Sequence, residues 1–221
     1  MSPDSISALR LSLQVAVAAT ALNALVGIPI AYALARRRFW GKGLVDLLVT
    51  LPLVLPPTVV GYYLIVLLGR RGWLGAPLYQ ATGWTVAFTW YAAVIAATVM
   101  ALPLLVRTVR AAIESVDRDL ERAAYTLGHS ELRTVLEVTL PLARNGILAG
   151  LVLAFARALG EFGATLMLAG NIPGRTQTVP LSIYTAVQTG ESAEALGLVA
   201  VLTALSCLVL VAANRLGARA A

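Results

Sequence analysis

The sequence predicts an all-α integral membrane protein of five transmembrane helices, with a polar cytoplasmic segment between helices three and four. Three observations carry that expectation. Of 221 residues, 59% are hydrophobic and only 13% are charged, against about 25% charged in a soluble domain. The apolar residues gather into five runs, each long enough to cross about 30 Å of hydrocarbon at about 1.5 Å per helical residue. No long polar linker or low-complexity stretch separates the runs, so residues 1–221 form a single transmembrane domain on this reading.

The runs lie near Leu11–Leu34, Val45–Leu68, Trp84–Val106, Gly146–Leu168 and Leu196–Ala213. The first is a retained span and not a cleaved signal, because its basic cluster, Arg36, Arg37, Arg38 and Lys42, follows the apolar residues instead of preceding them. The second holds Pro52, Pro56 and Pro57. Each removes a backbone donor, which lipid tolerates only where protein or a water-filled cavity takes up the freed groups. The span is therefore a broken helix near a pathway, or one kinked for packing.

The fourth run carries Arg157 and Glu161 one turn apart, with Gly150, Ala154 and Thr165 on the same face. Ionisable residues at that depth are expensive and face a partner or a cavity. The two form either a structural ion pair or a pathway-lining pair. The fifth run holds the only cysteine, Cys207, which rules out a disulfide within one chain and suits core packing.

Basic residues set the orientation. Twelve lie after the first run, between the third and fourth, and at the C-terminus; four (Arg10, Arg70, Arg71 and Arg175) lie on the other side. The positive-inside rule then puts the N-terminus outside and the C-terminus in the cytoplasm. The net charge of +6 follows from topology, and no nucleic-acid partner is needed.

Residues 117–141 interrupt the apolar pattern on the cytoplasmic side. Leu120, Ala123, Ala124, Leu127 and Gly128 share one small, apolar helical face, while Asp119, Glu121 and Arg122 project elsewhere. Gly128 suits a left-handed helix end. Ser130 then caps a second short helix with Glu131 in its first turn, and Pro141 marks the break before span four. The product is a helix, a glycine turn and a helix outside the bilayer. Its flat face admits a partner, unless the segment is an amphipathic loop lying on the membrane.

The run RAAYTLG followed by VTLP resembles the EAA-x3-G-x9-I-x-LP signature of ABC importer permeases: Ala123, Ala124, Gly128, Leu140 and Pro141 match, and Val138 replaces isoleucine. Arg122 occupies the motif's glutamate position, with Glu121 one residue earlier. LPLVLPPTVVGYYL and FARALGEFGATLMLAGNIPGRTQTVPLSIY look like the molybdate branch of that family, with sulfate and tungstate permeases as alternatives. The resemblance implies a coupling helix built on Leu120, Glu121, Ala123, Ala124, Leu127 and Gly128 that docks on an ATP-binding cassette subunit. It also implies a homodimer, an extracytoplasmic oxyanion-binding protein, and residence in a bacterial or archaeal inner membrane. Asn171, Gly174, Arg175 and Thr176, between spans four and five, would lie outside, meeting the binding protein or the entering anion, or packing on their own dimer.

Enzyme chemistry finds no foothold. His129 is the only histidine, so no histidine-based metal cluster or triad can form, and it serves as a turn residue. The sole lysine, Lys42 in WGKGL, does not fit a phosphate-binding loop. No cofactor is expected in this chain; ATP and Mg belong on the partner subunit. The rival classes are a secondary transporter, which needs no ATPase, and a membrane assembly protein that moves nothing.

Overall fold

Proline and glycine positions, more than the length of the apolar runs, decide where the helices begin and end. The computed structural model describes residues 3–218, with side chains over 3–211. Arg215 and Arg219, which enter the charge asymmetry, lie outside the described side chains. Every regular element among the described residues is helical.

Helix α1 (Pro3–Arg36) buries Ala8, Ser12, Val15, Ala19, Asn23, Gly27, Ala31 and Leu34. That recurrence every three or four residues lays one stripe against a neighbour. The neighbour is α5 (Trp90–Glu114), and Gly27 brings the two together: a Cβ there would stand 2.8 Å from Leu105 Cδ2. Gly146 and Gly150 of α8 (Leu140–Leu159) make the same close approach to Ala112 and Val109 of α5. Leu105, Val109 and Ile113 are fully buried, so α5 is the centre of the bundle. Lipid tails are as apolar as leucine, and close packing at small residues is what joins such helices.

The second run is two helices, α2 (Lys42–Val54) and α3 (Pro57–Leu68), parted by Leu55 and Pro56. Pro52 sits inside α2 without ending it. The break falls at Pro56 and Pro57, and Pro57 opens α3, where its missing N–H is an orphan in any case. After α4 (Gly75–Thr82), the third helix starts at Trp90 instead of Trp84. Phe88 is left-handed at φ 61°, and Thr89 Oγ1 caps α5 by accepting from Ala92 N–H at 3.3 Å.

Pro141 does not break the chain. α7 (Glu131–Thr134), a π-helical turn (Val135–Thr139) and α8 form one run, because a wider turn makes room for a ring that would otherwise strike the carbonyl four residues back. The break comes at the other end. α8 stops at Leu159, and α9 (Gly163–Ala169) resumes after residues 160–162, so Glu161 is not inside a helix. α10 (Val179–Thr189) then precedes α11 (Ser192–Ala218). On α11 Cys207 is exposed and not packed in the core.

Four stretches among the described residues are long and apolar enough to cross a membrane: Pro3–Arg36, Trp90–Glu114, Glu131–Leu159 and Ser192–Val211. The second run is not among them, because its break leaves two short halves.

Candidate functional site

The basic loops gather at one end of the bundle. Arg110, near the end of α5, meets Asp46 of α2 at 3.2 Å and Glu114 at 2.8 Å. The end of α1 meets α6 (Arg118–Thr126) through Arg36 and Glu121, and meets α7 through Arg37, which pairs with Glu131. Tyr32 Oη also donates to Glu131, at 3.3 Å.

Local sequence explains the shape of this segment. Asp117 caps α6, its Oδ1 accepting from Asp119 N–H at 2.9 Å. Gly128 is left-handed at φ 84°, and the following His129 N–H donates to Ala124 O at 3.1 Å. Ser130 Oγ accepts from Arg133 N–H at 3.4 Å and starts α7. The expected helix, glycine turn and second helix are all present, with His129 in the turn.

The small face is narrower than its spacing suggests. Leu120, Ala123, Leu127 and Gly128 are exposed, but Ala124 is buried. Glu121 turns inward. Its Oε1 accepts from Arg36 Nε at 3.1 Å and from Thr139 Oγ1 at 2.7 Å, while Arg36 Nη2 donates to Val116 O at 2.8 Å. The two charged side chains are only 7% and 12% exposed, so one carboxylate ties α6 to the end of α1 and to the π-helical turn. Arg122, at the motif's glutamate position, instead pairs in the open with Asp119 at 2.8 Å.

A second constellation forms where both broken helices meet. A Cβ on Gly163 would stand 2.9 Å from Pro57 Cβ, and one on Gly61 would stand 2.7 Å from Met167 Cβ and 2.9 Å from Ala164 Cα. Two glycines thus press the start of α9 onto the start of α3. Beside this contact Glu161, 2% exposed, forms an ion pair through Oε2 with Arg157 Nη1 at 2.7 Å, and its Oε1 accepts from Ala164 N–H at 2.8 Å. The carboxylate neutralises the arginine and caps α9 across the gap. Arg157 keeps 29% of its side chain exposed, and Thr165 is buried.

At the opposite end Ser12 Oγ accepts from Val179 N–H at 2.7 Å, fastening α10 to α1. Asn171 Nδ2 donates to Thr185 Oγ1 at 2.9 Å. Thr176 is 1% exposed, and its Oγ1 accepts from Ile172 N–H at 3.0 Å, so it shapes the loop. Gly174 and Arg175 stay exposed and border an open cavity of about 730 Å³ with Gln14 and Trp90.

Arg36, Thr139 and Gly61 carry much of this arrangement without a sequence signal. In the sequence Arg36 signals only an orienting charge, because its partner Glu121 lies 85 residues away.

Residues 27–220 match the family described as binding-protein-dependent transport system inner membrane component, and the chain belongs to that family. It is 52% identical to the molybdenum transport system permease protein ModB of Escherichia coli (strain K12), over 85% of this chain and 83% of that protein. With the ModB of Haemophilus influenzae it shares 49% identity, over 86% and 82%. A chain of the inward-facing MetNI methionine ABC transporter superposes over its whole length with TM-score 0.74 at 18% identity, a likeness of fold alone.

Proposed function

We propose that this chain is the transmembrane subunit of an ATP-driven molybdate importer, working as a homodimer with ATP-binding cassette subunits and an extracytoplasmic oxyanion-binding protein. The two relatives named as molybdenum permeases support the substrate. On this reading α2 and α3 together make the second of five crossings. The N-terminus is outside, and the basic end, with residues 117–141, faces the cytoplasm.

The observation that carries the mechanism is the clamp on Glu121. A segment that transmits force needs an exposed face for the motor and a stiff link to the helices that move. Leu120, Ala123, Leu127 and Gly128 provide the face; Glu121, Arg36 and Thr139 provide the link. ATP and Mg²⁺ stay on the cassette subunit, and no bond is made or broken in this chain. Closure of the cassettes displaces α6, the run from α7 to α8 follows, and the motion reaches the hinge at residues 160–162. There Arg157, its charge offset by Glu161, offers the anion a partly exposed guanidinium without trapping it. Pro56, Pro57 and Gly163 let the half-helices pivot at that level.

Uptake into vesicles containing the whole assembly tests the reading. Molybdate should accumulate with ATP in the lumen where the cassettes face, stop with vanadate, and be competed by tungstate and sulfate in the order set by the binding protein. Uptake that is driven by an ion gradient and indifferent to vanadate would make the chain a secondary transporter. Absence of any uptake from an intact assembly would favour the assembly role.

A further inference from the structure

At the basic end two cavities join. One, of about 580 Å³, is mainly apolar, with Ile28, Pro29, Leu132 and Val135 in its wall. The other, of about 310 Å³, is polar and is bordered by four arginines, Arg36, Arg37, Arg118 and Arg122, against two glutamates, Glu121 and Glu131. Tyr32, Arg37 and Glu131 border both, so together they make one groove with a greasy floor and a cationic mouth. We infer that this groove is a binding site for an anionic phospholipid, with the phosphate at Arg118 and Arg37 and an acyl chain along Ile28, Pro29 and Leu132.

Three observations fit that occupant. Ile28 precedes Arg36 by eight residues on one continuous helix, so the apolar floor begins roughly 12 Å below the arginines, the direction in which a lipid's chains run from its headgroup. Trp40, fully exposed beside Arg37 and Arg38, is the kind of side chain that marks the headgroup level. The mouth carries a net surplus of cations. Arg36 is committed to Glu121 and Arg37 to Glu131, but among the described residues Arg118 has no acidic partner. A basic pocket between helices at the cytoplasmic side is the setting in which anionic headgroups bind.

The site is separate from the proposed cassette contact. Arg118, Arg122 and Tyr125 follow one another at i, i+4 and i+7 on α6, whereas Leu120, Ala123 and Leu127 occupy the opposite side. The inference therefore needs a membrane setting but not transport, and a failure of molybdate uptake would leave it untouched.

Native mass spectrometry of the detergent-purified full chain, titrated with phosphatidylglycerol or phosphatidylcholine, provides the test. The intact chain should retain one phosphatidylglycerol preferentially, and Arg118→Gln should weaken that retention about fivefold, the factor for one basic residue near an anionic surface. Arg38→Gln removes the same charge from the same level but borders neither cavity, so it should change retention little. Both variants should keep the far-ultraviolet spectrum and melting temperature of the parent. Equal retention of the two lipids, an equal loss in both variants, or displacement of the lipid by millimolar glycerol phosphate would each overturn the site.

Discussion

Replacing Glu121 by alanine should detach residues 118–130 from the bundle while leaving the membrane-crossing helices in place. The carboxylate and its partner Arg36 are 12% and 7% exposed, so the change strands a buried guanidinium whose remaining bond goes to Val116 O at 2.8 Å, and it frees Thr139 Oγ1 as well. Removing one partner of a buried pair costs about 3–5 kcal/mol. At about 1.4 kcal/mol per tenfold, the detached population of this segment should rise by roughly two to four orders of magnitude. Hydrogen exchange resolved by mass spectrometry reads this directly, as lost protection over α6 and α7 with α5 and α8 unchanged. In vesicles, cassette ATP hydrolysis should persist while uptake falls. Arg36→Met combined with Glu121→Met should regain part of the protection, because no charge is then left buried. Unchanged protection in Glu121→Ala, or strictly additive losses in the double variant, would refute the clamp. Arg122→Glu should be nearly silent by the same assay, since Arg122 only pairs with Asp119 in solvent.

Gly61→Val should abolish uptake without preventing membrane insertion, because even its Cβ meets the Ala164 backbone at 2.9 Å; overpacking there should cost about 1–3 kcal/mol, read as a lower melting temperature. Gly128→Val should strain the left-handed turn by about 1–2 kcal/mol. Apart from its two chain neighbours, no described residue has an atom within 4 Å of a Cβ at that position, so any further loss of cassette co-purification relative to Gly128→Asn, which tolerates the turn, measures a contact with the partner. In a Cys207→Ser background, needed because the native thiol is exposed, Gly174→Cys should react with an impermeant thiol reagent from outside and Ser130→Cys only from the cytoplasm; the reverse pattern would overturn the orientation.

Composition and spacing were enough to determine that the chain is helical and lives in a bilayer, because hydrocarbon forces each crossing to satisfy its own backbone and so writes the requirement into contiguous residues. The glycine turn at Gly128 and the cap at Ser130 were legible for a similar reason: each depends on one residue and its near neighbours. The pairing of Arg157 with Glu161 was also legible, since they lie four positions apart. What spacing could not reveal is that Glu161 stands beyond the end of α8, where it caps a separate helix, or that a π-helical turn carries the chain through Pro141. Both depend on how neighbouring segments crowd the backbone. The direction of Glu121 was settled only by folding, because an isolated α6 has no inside; Arg36 and Thr139, brought in from distant segments, make one for it. The meeting of the two half-helices likewise exists only in three dimensions, since Gly61 and Gly163 look like ordinary glycines until their backbones are seen to touch α9 and α3.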